Sequence, residues 1–140
     1  MRNALFLFFV CTSVIAISQK STTKSPKIVT KINLGETIII ENHQVTFAKV
    51  LEDSRCPKGV TCIWAGRARV QLFVGLEEED SLIKELIFGQ VKQGESKDLT
   101  LFTSEGNSVM GYALEPYPSS GDSGSEKEYQ LFLSIEKNEK

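Results

Sequence analysis

The sequence predicts an all-β domain: a single antiparallel β-sandwich or closed barrel of about seven strands. Three observations carry this expectation. Residues 62–76 alternate between two faces at period two, the repeat of a half-buried strand. Short runs rich in β-branched and aromatic residues recur along the rest of the chain, separated by Gly, Ser and Asn. No segment shows a capped helical period. A helix competes only in EEEDSLIKELIFG (77–89), where Leu82, Glu85 and Leu86 have helical spacing. Ile83, Ile87 and Phe88 suit a pleated surface better, and strand is preferred there.

The elements follow in order. Residues 1–18, MRNALFLFFVCTSVIAIS, read as a signal peptide: Arg2 is the positive start, Ala4 to Ile17 the apolar run, and Ala16 and Ser18 the small residues before a cut. The run is shorter than the roughly 20 apolar residues of a spanning helix. Val10 stands where a lipidation signal at Cys11 would have a small residue. An exported protein is therefore expected, periplasmic or secreted, with neither a membrane span nor a lipid anchor. Residues 19–30 are rich in Ser, Thr and Lys and read as a flexible linker, so the domain is expected over 31–140. TIIIE (37–41) and VTFAKVL (45–51) form a hairpin across ENHQ, with Val45, Phe47 and Leu51 on one face.

The stripe Cys62, Trp64, Gly66, Ala68, Val70, Leu72, Val74 and Leu76 is the clearest in the chain. It predicts a long strand with Trp64 to Leu76 in the core and Arg67 and Arg69 in water. EEED (77–80) turns the chain into SLIKELIFG (81–89). KDLTLF (97–102), SVMGYALEPYP (108–118) and EYQLFLSIE (128–136) add three strands, and in the last Tyr129, Leu131, Leu133 and Ile135 share a face. SSGDSGSEK (119–127) is a low-complexity loop.

Once Cys11 leaves with the signal, Cys56 and Cys62 remain, an even pair in an exported chain, and a disulfide is the default. Pro57 fixes φ in the loop it closes, and Gly59 permits a positive φ. Asp53 and Arg55 are close enough in sequence to pair or to bond loop carbonyls. Together, Asp53-Ser54-Arg55-Cys56-Pro57, then Cys62-Ile63-Trp64-Ala65-Gly66-Arg67-Ala68, then Tyr112-Ala113-Leu114-Glu115-Pro116-Tyr117-Pro118 resemble a family of uncharacterised small exported bacterial proteins and lipoproteins. Their shared pattern is D-S-R-C-P…C-x-W-x-G-x-A followed by a late Y-x-L-x-x-x-P strand, and it covers most of the chain after the signal. The resemblance implies compartment and fold and assigns no activity.

The chemistry of the residues excludes several functions. Without residues 1–18 the net charge moves from −2 to −3, which gives no footprint for nucleic acid. His43 is the only histidine, and bridged cysteines cannot ligate, so neither a metal nor another cofactor is expected. EEED lacks the ligand spacing of a calcium loop. The C-x₅-C spacing between strands is not that of a catalytic dithiol, which favours C-x-x-C at a helix start. Gly121-Asp122-Ser123-Gly124 matches the tetrapeptide around a trypsin-like nucleophile, and His43, Asp53 and Ser123 fall in the matching order. A chain of this length cannot build the two barrels that hold such a triad, and a Ser/Gly-rich loop would not hold a nucleophile. What remains is a non-enzymatic domain with a structural or binding role. Lys58, Gly59 and Val60, at the tip of the tied loop, are the candidate contact residues for a protein partner. Inhibition of a protease through loop 56–62 is the alternative. A glycan would instead look to Phe102, Tyr112, Tyr117 and Phe132.

Overall fold

A computed structural model describes residues 28–76, 80–121 and 127–138. Two four-stranded antiparallel sheets pack face to face as a sandwich, and no helix occurs among the described residues. The strands are β1 (Ile28–Asn33), β2 (Thr37–Ile40), β3 (His43–Asp53), β4 (Arg67–Gly75), β5 (Leu82–Gly89), β6 (Thr100–Ser104), β7 (Asn107–Glu115) and β8 (Gln130–Lys137). One sheet has the order β2-β3-β4-β5, a simple meander. The other is β1-β8-β7-β6, in which the first strand pairs with the last.

Two hairpins turn on pairs of residues with positive φ. Glu41 (47°) and Asn42 (62°) join β2 to β3, and Glu105 (45°) and Gly106 (83°) join β6 to β7. Two consecutive left-handed residues match the right-handed twist of the flanking strands. The core lies between the sheets: Ala68, Val70, Leu72 and Val74 of β4 face Leu131 and Leu133 of β8 and their neighbours, all buried.

Five expectations are corrected. β1 begins at Ile28, so the ordered domain starts inside the segment read as a linker. This eighth strand is IVTKIN, whose alternation is weak because only Ile32 is buried. In β3 the register shifts between Phe47 and Lys49 and again between Val50 and Glu52. The first bulge turns Val50 inward opposite Val70 and leaves Leu51 exposed, contrary to the simple alternation. The second returns Asp53 to the inward face opposite Ala68. Finally, β4 starts at Arg67 rather than Cys62. Trp64 and Leu76 are exposed instead of core, while Arg67 is buried instead of solvated.

Candidate functional site: the disulfide-tied tip of the β3–β4 hairpin

Asp53 is the last residue of β3, and the second bulge aims it at one end of the sandwich. Arg55, two residues on, follows it inward. Their side chains are 5% and 8% exposed, and the guanidinium meets the carboxylate as a fork: Nε donates to Oδ1 and Nη2 to Oδ2, both at 2.8 Å. The rest of the guanidinium crosses to the other sheet. Nη1 donates to the Leu114 carbonyl at the end of β7 (2.6 Å), and Nη2 to the Pro116 carbonyl (3.1 Å). The Tyr117 ring lies under it, 4.7 Å from its centroid. Tyr129, just before β8, donates its hydroxyl to Asp53 Oδ2 at 3.0 Å. One ion pair thus joins the end of β3 to the end of β7 and the start of β8.

Burial pushes the Asp53 carboxyl up, but the Arg55 hydrogen bonds and charge outweigh this and hold it below its ordinary value. Burial acts against the Arg55 charge too, and Asp53 overcomes it, raising Arg55. Burial and the bond to Asp53 push the Tyr129 phenol up to about 12.

Beyond this clamp the hairpin continues as an irregular ladder. Ser54 N–H donates to the Arg67 carbonyl (2.8 Å) and Cys56 N–H to the Ala65 carbonyl (3.0 Å). Gly66, at φ +69°, lets the strands cross closely: a Cβ there would lie 1.8 Å from the Ser54 carbonyl oxygen. The Cys56–Cys62 disulfide closes the tip, with the Cα atoms 5.9 Å apart. Inside it, Val60 N–H reaches back to the Pro57 carbonyl (3.3 Å), and Gly59 has the positive φ (82°) expected of it. Lys58 N–H donates to the Pro118 carbonyl (2.9 Å), which ties the tip to the segment after β7. The Lys58 ammonium sits 5.5 Å from the Tyr117 ring centroid.

The outer face beside the tip carries a second set of charges. Arg67 bonds Glu52 (2.9 Å) and Glu95, while Arg69 bonds Glu85 (2.8 Å). Glu95 also accepts from Lys92 N–H, so the loop after β5 folds onto Arg67. This explains the burial of Arg67: its partners travel with it. Hydrogen bonds from Arg67 hold the Glu52 carboxyl below its ordinary value, whereas Glu95 is lowered mainly by the Lys92 backbone N–H, with Arg67 adding to it against the opposing effect of burial.

What the tip presents to solvent is apolar. Ile63 is 93% exposed, Trp64 74% and Val60 49%, next to exposed Lys58, Gly59, Thr61, Cys62 and Ala65. Sequence reasoning picked Lys58, Gly59 and Val60 as the contact residues and placed Trp64 in the core. Ile63 was not singled out. Its signal lies in the unbroken uncharged run GVTCIWAG (59–66), but alternation counted from Cys62 places Ile63 on the solvent face of a strand beside Arg67 and Arg69, where it looks ordinary.

The other candidates lie apart. His43 opens β3 and Asp53 ends it, ten residue steps or ~33 Å of strand away. His43 bonds the Glu41 carbonyl through Nδ1 (2.8 Å) and stacks on Phe102 at 4.2 Å. Ser123, Cys11, the rest of residues 1–18 and most of EEED are outside the described residues. Of the aromatic residues named for a glycan, Tyr112 is exposed, and Phe102, Tyr117 and Phe132 are half-buried. Among the described residues no group of three or more His, Cys, Asp or Glu is placed to hold a metal, and no helix is long and apolar enough to cross a membrane. No protein-family model, curated protein or solved structure matches the chain.

Proposed function

We propose that this chain is an exported, non-enzymatic binding domain that engages its partner through residues 57–65, the tied tip of the β3–β4 hairpin. The observation that carries this reading is the exposure of Ile63 and Trp64 side by side on a rigid loop. Exposed side chains of this size cost solvation in the free protein and are characteristic of contact surfaces. The loop is held by the disulfide, the Lys58–Pro118 bond and the ladder at Ser54 and Cys56, so little chain entropy is lost on binding. A disulfide is consistent with an oxidising, extracytoplasmic compartment. The resemblance to small exported bacterial proteins supports the same placement.

Protease inhibition through loop 56–62 is the second reading, favoured by exposed Lys58. It is the weaker one. An inhibitor loop lies extended in the cleft and pairs its backbone with the enzyme. Here the backbone turns back between Pro57 and Val60, and the Lys58 N–H is engaged by Pro118.

The test uses residues 19–140 and a double variant, Ile63→Ser with Trp64→Ser. Wild type is expected to co-sediment with, or be retained by, a total envelope fraction of a producing bacterium, and the variant to lose this with an unchanged melting temperature. Equal retention of both forms would remove the tip from consideration.

A further inference from the structure

We propose that the surface engaged by the tip is a lipid bilayer, into whose interface Ile63 and Trp64 insert while Lys58 meets the headgroups. This rests on the reading of the tip as the binding element and names its partner. Three features point to lipid. First, at 93% exposure Ile63 has almost nothing beside it, so the apolar surface is convex. A protein partner would have to supply a cavity that encloses the side chain from every direction. A fluid hydrocarbon phase closes around it without one. Second, residues 59–65 carry no charged side chain. The nearest carboxylate in sequence, Asp53, is buried and paired with Arg55, and the carboxylates on the outer face beside the tip, Glu52, Glu95 and Glu85, are paired with Arg67 and Arg69, so each of these charges enters the interface with a counter-charge beside it.

Third, the tied loop carries a cation beside an aromatic ring, a pairing suited to the headgroup region. Lys58 and Tyr117 lie together, 5.5 Å from ammonium to ring centroid, and the Lys58 backbone is bonded to Pro118. Lys, Tyr and Trp are the residue types that anchor proteins at membrane–water interfaces, the first by extending its ammonium to phosphate. The tip is shallow, with two large apolar side chains. The association is therefore reversible and peripheral.

Trp64 is the only tryptophan, so the protein carries its own probe. Residues 19–140 are mixed with phosphatidylcholine vesicles containing a minority of phosphatidylglycerol. The Trp64 emission should shift to the blue and be quenched by lipids brominated on the acyl chain near the headgroup. Ile63→Ser should lower partitioning roughly tenfold, the equivalent of about 1.4 kcal/mol, with the melting temperature unchanged. Lys58→Ala should weaken binding to the anionic vesicles more than to pure phosphatidylcholine. Emission that stays where it was in buffer, with the protein left in the supernatant, overturns the lipid assignment. A second arm separates that failure from failure of the binding reading. Retention by intact envelope membranes, but by neither protein-free vesicles nor protease-shaved membranes, means a protein partner and discards lipid alone. Retention by none of the three discards both.

Discussion

The Arg55 guanidinium makes two hydrogen bonds to Asp53 out of reach of bulk water, and the clamp they form depends on both charges. Asp53→Ala would strand a buried guanidinium, and a loss of ~3–5 kcal/mol is expected by urea denaturation at neutral pH. The sign of the acid dependence follows from the lowered carboxyl. Its contribution is fully present above the ordinary value of 3.8 and is lost as pH falls below it toward the folded value. Asp53→Ala should therefore be flatter than wild type in that range. Trp64 is predicted to behave in the opposite way. Its indole is mostly in water, so Trp64→Ala should change stability by no more than about 0.5 kcal/mol. Its native emission maximum should already be close to that of the unfolded chain. A tryptophan in the core would cost ~3–5 kcal/mol on truncation, so the measurement separates the two placements cleanly.

The β3–β4 hairpin is the element that builds the site. Two bulges in β3 set Asp53 inward, and Gly66 lets the returning strand pass against Ser54. Gly66→Ala meets both a left-handed backbone and a backbone oxygen at 1.8 Å. Neither can be relieved by rotating a side chain, so a loss of ~3 kcal/mol or more is expected in thermal or urea unfolding. Gly59 makes a useful contrast: it has a similar φ but open space around its Cβ position, so Gly59→Ala carries backbone strain alone and should cost less. The disulfide closes a short loop, and the chain-entropy relation gives ~2.4 kcal/mol for it. The double variant Cys56→Ala, Cys62→Ala should lose about that much and still fold, because the clamp and the ladder at Ser54 lie on the strand side of the bridge.

At the scale of the whole molecule, the two sheets are held by their shared core and, at the tip end, by polar bonds that cross between them. Tyr129 is one such bond, from the start of β8 to Asp53. Its phenol, raised to about 12 from an ordinary 10, stabilises the fold below pH 10 and loses that contribution as pH climbs to about 12. Urea midpoints measured across this window should fall for wild type and fall less for Tyr129→Phe, which itself should cost ~1.5–3 kcal/mol at neutral pH.

Much of the architecture was legible from local pattern. Residues 68–74 alternate cleanly because one face of β4 is core and the other is not, and Leu131 and Leu133 follow the same rule until Ser134, on the opposite face, is also buried. The cysteine pair and the chemistry of Asp53 and Arg55 were equally visible, because sequence neighbours need no long-range information to meet. Alternation failed wherever the backbone left the pleat: at the β3 bulges, which exposed Leu51, and at Gly66, beyond which Trp64 no longer shares the face of Ala68. Counting by two assumes an unbroken strand, and one left-handed residue resets the count. So the all-β class, the hairpins and the bridge follow from residue type and spacing alone. The choice of sandwich over barrel, the burial of Arg67, the clamp across the sheets and the bare Ile63–Trp64 tip were decided by tertiary structure, since each depends on which distant strand end or loop lies alongside, and that is set by packing rather than by neighbours in the chain.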